Sequence, residues 1–398
     1  MPLSRSGVAV PWLLSLGMFV IGTTSLSILG VGPAVTRDLG VPPGAEGWLV
    51  TAFAATFAVA APVAQFALGR RFSPRRLILL GAAVLTAALV WASLAAGFEG
   101  LLLSRIVAAL GGALIAPTAA ALAVAMAPDG RRGAVLAIVF TGFTLSTVAG
   151  VPIMTQLALA LSWRGAMAAV AAAALLYLLL VLVVLPKETG AVTAPQIGAD
   201  GSPGLWRPAA VLLTTLGMLA AQFTIYALMA ELLGGLFGVS DESLALSILL
   251  FGVFGVAGNA AAGVLTDRIG ANAVVWISLV GLAVMLLLLL GSEFGPLYGS
   301  LVLAGCAFVG TLFTTPQQNR LVELVHQDRH ALILAMNSSA SYLGIACGSG
   351  LASLLATNAG LTVLPLAALI LLSLTGAVNL LLSRRRVTAS VNPDSPEV

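Results

Sequence analysis

GNAAAGVLTDRIG, residues Gly258 to Gly270, decides how the chain is read. Gly252, Gly255, Asn259 and Gly263 recur at helical spacings of three and four, so one face of a helix is small or polar and admits a neighbour at close range. Asp267 falls four residues further along the same face. The helix then stops at an Asp-Arg pair and a glycine, and a new apolar run begins at Ala271. Two long apolar runs joined by a short charged turn are what a chain shows when it crosses a bilayer, turns in water and crosses back.

The rest of the chain repeats that pattern. Of its 398 residues 60% are hydrophobic and 8% charged, far from the balance of a soluble globular protein. Charges gather in islands between apolar stretches of about 20 residues, enough to cross a hydrocarbon core of roughly 30 Å as helix. No β-barrel alternation is present, so the spans are helical. Twelve are expected, at about residues 10–35, 47–69, 77–97, 101–125, 134–161, 165–185, 209–237, 244–266, 273–291, 297–322, 331–356 and 361–382. The first is expected to stay in the mature protein, because its apolar run is longer than that of a signal peptide. Net charge is +3, and Lys187 is the single lysine among 18 basic residues. The basic residues lie mostly in connections, which points to topology and away from nucleic acid. Cys306 and Cys347 each lie in an apolar run and read as small buried hydrophobes.

Charge alternates between connections. Arg5, the RRFSPRR island from Arg70 to Arg76, Arg131, Arg132, Lys187, Arg207, Arg268, Arg329 and Arg384 to Arg386 share one side. Arg37, Arg164, Asp38, Glu46, Glu99, Asp241, Glu242 and Glu293 share the other, so both termini are expected in the cytoplasm. Residues 186–208 form the longest connection, rich in Gly, Pro and Ser, and divide the spans into bundles at 1–185 and 209–383; residues 384–398 are expected to be a short disordered tail. The halves echo each other. Leu16-Gly17-Met18 recurs at Leu216-Gly217-Met218, Pro117 at Pro316, Leu136-Ala137 at Leu334-Ala335 and Gly150 at Gly348, all shifted by 198 to 200 residues. Arg71-Phe72 precedes Arg268-Ile269 at a similar offset. A duplicated six-helix unit explains one offset shared by so many positions.

These features resemble the major facilitator superfamily. GVLTDRIG is similar to its loop signature GxLxDRxG, SRIVAALGGA from Ser104 to its fourth-helix motif, and GFTLSTVAGVPIMTQ from Gly142 to its fifth-helix antiporter motif, with Gly142, Gly150 and Pro152 as helix-packing positions. FVIGTT at Phe19, GVP at Gly150 followed by Trp163-Arg164, and ALILAMNSSASYLGIACGSG from Ala331 resemble the drug and sugar efflux branch, near the arabinose-efflux-like permeases. The resemblance implies an all-α integral membrane protein with twelve transmembrane helices in two six-helix pseudo-symmetric bundles. It also implies alternating access, with Arg71, Arg75, Gly263, Asp267, Arg268 and Gly270 as a cytoplasmic latch. The first-half copy of the loop departs from the signature, because Gly69, Arg70 and Arg71 stand where an Asp is usual and Ser73-Pro74 replace the Gly.

Residues that could carry chemistry are few. Arg105 sits about one turn inside the fourth span, where an unpaired guanidinium costs on the order of 3 kcal/mol; it needs a partner or snorkels to the interface. Ser25 occupies the place after GTT where the resemblance leads one to expect an acid. Glu231, in the seventh span, is then the most embedded carboxyl and the candidate proton carrier, with Arg105 as a possible modulator. Glu46 and Glu323 lie at span ends and read as interfacial. Thr23 and Ser27, Gln222 and Tyr226, Gln318 after Pro316, and Asn337 and Ser341 place neutral hydrogen-bonding groups on helix faces, either lining an apolar cavity or joining helices. His326 and His330 are four apart, but no third ligand accompanies them, so no metal is expected. No phosphate loop or nucleophile elbow is present, so neither an enzyme nor a cofactor is expected. The expected partners are a small-molecule substrate, protons and the lipid bilayer around a monomer in the plasma (inner) membrane. The reading is a proton-coupled exporter; a facilitated uniporter, or a receptor or assembly partner that keeps the fold without transport, are the alternatives.

Overall fold

The computed structural model describes residues 5–68, 71–126, 132–186, 206–291, 294–325 and 330–390. Sixteen α-helices follow one another among them: α1 (Arg5–Leu26), α2 (Ile28–Leu39), α3 (Glu46–Leu68), α4 (Pro74–Leu94), α5 (Phe98–Met126), α6 (Arg132–Leu145), α7 (Val151–Ala160), α8 (Trp163–Val184), α9 (Trp206–Tyr226), α10 (Met229–Phe237), α11 (Asp241–Ile269), α12 (Ala271–Leu288), α13 (Gly295–Thr311), α14 (Thr314–Val322), α15 (His330–Ala359) and α16 (Leu364–Ser390). Among the described residues, twelve helices or helix runs are long and apolar enough to cross a membrane, as the hydropathy pattern predicts.

Four spans are interrupted. The first breaks at Ser27 between α1 and α2, and the seventh at Ala227 and Leu228 between α9 and α10. In the fifth, a π-helical turn over Ser146–Gly150 joins α6 to α7. Pro152 follows at once, and its missing N–H suits a widened turn. The tenth breaks at Leu312 and Phe313, the first of which loses its helical donor to Pro316 four residues on. The tail differs from expectation too. α16 runs through Arg384 to Arg386 as far as Ser390, since arginine is a good helix former and no proline intervenes before Pro393.

Helix pairings recur between the halves. α1 packs on α6 and α8 as α9 packs on α15 and α16; α3 on α5 as α11 on α13; α4 on α5 and α8 as α12 on α13 and α16. Small residues let these pairs meet: a methyl group on Gly142 would overlap the Ser15 carbonyl, and one on Gly348 the Ala220 carbonyl. Large apolar side chains such as Val59, Leu179, Val183 and Ile370 are exposed around the bundle, the belt that lipid covers. Cys347 lies on such a surface, whereas Cys306 is buried. An apolar run cannot separate the two cases, because lipid is as apolar as a protein core.

An even number of spans puts both termini at one end of the bundle. The opposite, distal end carries the connections at 40–45, 95–97, 161–162 and 238–240. The linker at 187–205, His326, Arg329, Gly69, Arg70, Arg131 and Glu293 lie outside the described residues, as does the side chain of His330.

Candidate functional site

The break at Ser27 leaves the last carbonyls of α1 without helical donors, and Arg105 of α5 supplies them. Its guanidinium donates to the Thr24 and Ser25 carbonyls, and its Nε to Leu49 of α3 at 3.2 Å. The Phe53 ring lies 4.8 Å beneath it. Arg105 is 2% exposed, so it does not snorkel, and its positive charge sits at a helix C-terminus, where the dipole favours it. The sequence shows a cation in need of a partner; the partners are backbone carbonyls, two at the break in the first span and one on α3.

From this corner the two halves meet across the distal end. Arg37 pairs with Asp241 at 3.2 Å, and the Thr36 hydroxyl donates to Glu231 Oε1 at 3.4 Å. The hydroxyls of Thr51 and Ser349 lie 2.8 Å apart, and Ser353 donates to the Gly44 carbonyl. Deeper in, Phe57 stacks on Tyr342 with ring centroids 4.2 Å apart, and the Tyr342 hydroxyl faces that of Ser25. α3 thus runs against α15, α2 against α10 and α7 against α11. Behind this layer Asp38 accepts from Trp163 Nε1 at 3.0 Å and pairs with Arg164. The Arg164 hydrogen bond, then that of Trp163, holds the Asp38 carboxyl below its ordinary range.

Glu46 belongs to the same layer, which corrects its reading as an interfacial acid: it is 1% exposed and faces Glu231 across the boundary between halves. Its position at a span end suggested water, but the other half covers that end. A signal was present in Gly44 and Gly47, small residues flanking an acid where helices approach closely. Glu231 opens α10 and is half-buried.

The neutral polar candidates are mostly engaged by neighbouring helices. Gln222 donates to the Gly310 carbonyl at 3.2 Å and Tyr226 to Cys306 at 2.7 Å, both on α13 just before its break. Asn337 accepts from Thr215 at 2.8 Å. Gln317 donates to Val211 and Thr215 and accepts from Arg320, while Gln318 beside it is exposed. Ser341 donates to the Asn337 carbonyl and Ser27 to that of Thr24. Thr23 is 5% exposed, and its hydroxyl, against Gly150, has no partner among the described residues.

In the loop signature Gly270 adopts φ 85° and joins α11 directly to α12, the tight turn expected of it. Asp267 and Arg268 are exposed beside it. Gly263 does not make the close approach expected, for nothing among the described residues lies within 4 Å of where its Cβ would be. Gly258 makes that approach instead, against the Phe308 carbonyl of α13. In the first-half loop Ser73 caps α4, accepting from the Arg76 N–H with Pro74 at the first helical position. The residues that replace the signature glycine therefore start the next helix. Arg75 donates to the Leu182 carbonyl at 2.9 Å, and Arg71 is exposed.

Twelve membrane-length helices, paired alike in two halves that meet in a polar layer, define a polytopic membrane transporter. The profile of the Major Facilitator Superfamily matches residues 14–209 and 211–397, and the chain belongs to that family, whose members are transporters and not enzymes. It is 30% identical to the inner membrane transport protein YdhP of Escherichia coli K12 over 341 residues, 84% of this chain and 86% of that one. It is 34% identical to a chloramphenicol resistance protein of Streptomyces lividans over 269 residues, 65% of this chain and 66% of that one. Among solved structures, an inward-facing, occupied bacterial homologue of the human lysosomal transporter Spinster is similar with a TM-score of 0.77 at 17% identity, over 96% of this chain and 97% of that one. A POT family transporter with a bound peptide conjugate gives 0.76 at 16% identity, over 96% of each chain. Both likenesses concern the fold.

Proposed function

We propose that the protein exports a small apolar or uncharged solute across the plasma (inner) membrane by alternating access, in exchange for protons. The observation that carries this reading is the distal layer: Arg37 with Asp241, Thr36 with Glu231 and Thr51 with Ser349 each join one half to the other, as a closed gate does. The arginine-rich connections put the other end in the cytoplasm. The closed gate is then the outer one, and solute enters from within. The resemblance to a chloramphenicol resistance protein supports outward movement and makes chloramphenicol the first solute to test. Glu231 is the proton carrier in this reading, Thr23, Gln318 and Ser341 are candidates to meet solute, and Asp267, Arg268, Arg71 and Arg75 close the cytoplasmic side in the opposite state.

Purified protein in proteoliposomes tests it. An imposed proton gradient should drive uphill movement of chloramphenicol or another uncharged drug, Glu231→Gln should abolish that coupling, and Asp267→Asn should slow turnover more than it weakens binding. Flux of every tested drug and sugar that ignores the gradient would reject antiport, and downhill flux alone would make the protein a uniporter.

A further inference from the structure

Glu46 opens α3 with 1% of its surface exposed, and among the described residues neither carboxyl oxygen meets a donor in hydrogen-bonding geometry. Its stem is packed against α2, where a Cβ on Gly32 would come within 2.7 Å of Glu46 Cγ. The carboxyl is thereby held toward Glu231, which begins α10 on the other half and accepts from Thr36.

The other charges at this corner are engaged elsewhere. Arg37 of α2 pairs with Asp241 at the head of α11. Asp38 is taken by Arg164 and Trp163, and Arg105 of α5 gives its guanidinium to carbonyls around Leu49 and Thr24. Glu99 of α5 and Glu242 of α11 are exposed. α15, which packs along α3, offers the hydroxyls of Ser349 and Ser353 and, from Met336 to Ala359, no carboxylate or basic side chain. No described cation therefore neutralises the Glu46 carboxyl, which is shut away from water and faces the half-buried Glu231 across the halves. A carboxyl so enclosed, with a second acid facing it, is costly to ionise.

We propose that Glu46, facing Glu231 across the halves, binds a proton, and that this proton holds the distal gate shut. With it, one carboxyl can donate to the other and α3 and α10 stay together. Without it, two like charges oppose each other. Because Glu46 is wedged against Gly32 and its partner belongs to the other half, separation of the halves relieves the repulsion. The inference rests on the reading that the halves rock. It adds to that reading a second acid and a direction: protons reaching the open gate from outside close it.

Spin labels at Pro42→Cys and Asn358→Cys, both exposed at the distal end, report the gate in full-length protein carrying Cys306→Ser and Cys347→Ser, in lipid nanodiscs. Raising the pH from about 5 to about 9 should increase the open population at least about tenfold, because the form with Glu46 ionised is the one that opens. Glu46→Gln and Glu231→Gln should each lose that response and stay closed throughout. Should Glu46→Gln fail to elute as a monodisperse species, Glu231→Gln, at the more exposed member, carries the same test. Opening by pH that survives either substitution would overturn the proposal. Closure by Na+ at constant high pH would do so too, assigning the pair to a metal cation. Labels that never separate under any pH, salt or solute would instead refute rocking, a failure distinct from a gate that opens without regard to pH.

Discussion

Arg105 owes its burial to a break in another helix. Leu49, Thr24 and Ser25 offer it three carbonyls; Thr24 also accepts from Ser27 and Leu49 lies inside α3, so removal of the guanidinium would chiefly strand the Ser25 carbonyl in a nonpolar interior, at about 1–3 kcal/mol. Arg105→Leu should therefore lower the melting temperature of the purified protein, with a loss of about 1–3 kcal/mol. Arg105→Lys should recover part of it, since an ammonium keeps the charge without the planar fork. An unchanged melting temperature in Arg105→Leu would mean that the carbonyls find other donors. The sequence shows that such a residue needs company, because an arginine inside an apolar run has few cheap solutions. It does not show the company, because backbone carbonyls carry no residue signature. Glu46 escapes notice for a related reason. Its exposure is set by α10 and α15, more than 180 residues away in sequence, and a span end by itself reads as wet.

Helix pairs in this molecule meet through small residues, and which glycine is used depends on rotation about the helix axis by a few tens of degrees. Gly252, Gly255, Asn259 and Gly263 look equivalent in sequence, yet Gly258, off that stripe, is the one against the Phe308 carbonyl, and Gly263 faces open space among the described residues. Gly258→Ala should therefore destabilise α11 against α13 by about 1–3 kcal/mol through overpacking. Gly263→Ala should be neutral or stabilising by about 0.5–1 kcal/mol, because alanine loses less backbone freedom in a helix. Denaturation of the two variants side by side decides this, and equal losses would contradict the packing described. The spans themselves are legible because hydropathy follows directly from the membrane's thickness. Their interruptions are legible only where proline announces them, as Pro316 does for α14 and Pro152 for α7. Ser27 and Leu228 announce nothing: those breaks depend on what packs around them, Arg105 in the first case.

At the scale of the whole molecule, the repeat seen as a shift of 198 to 200 residues reappears as the same helix pairings in each half. Pairing within a half needs small residues at fixed intervals, which duplication copies. Contacts between halves need complementary residues that differ, such as Arg37 with Asp241, and these no repeat can reveal. The family and the architecture could thus be read from the chain, whereas the contacts between the halves could not. Alternating access requires the distal layer to part in every cycle. Thr51 and Ser349, whose hydroxyls are 2.8 Å apart across the halves, allow this to be tested by a reversible lock. In a Cys306→Ser, Cys347→Ser background, Thr51→Cys with Ser349→Cys should form a disulfide on oxidation, since side chains that meet in this way fall near the required geometry. Solute flux in proteoliposomes should then stop and return when the bond is reduced. Flux that continues at the unlocked rate with the disulfide fully formed would contradict alternating access through this gate.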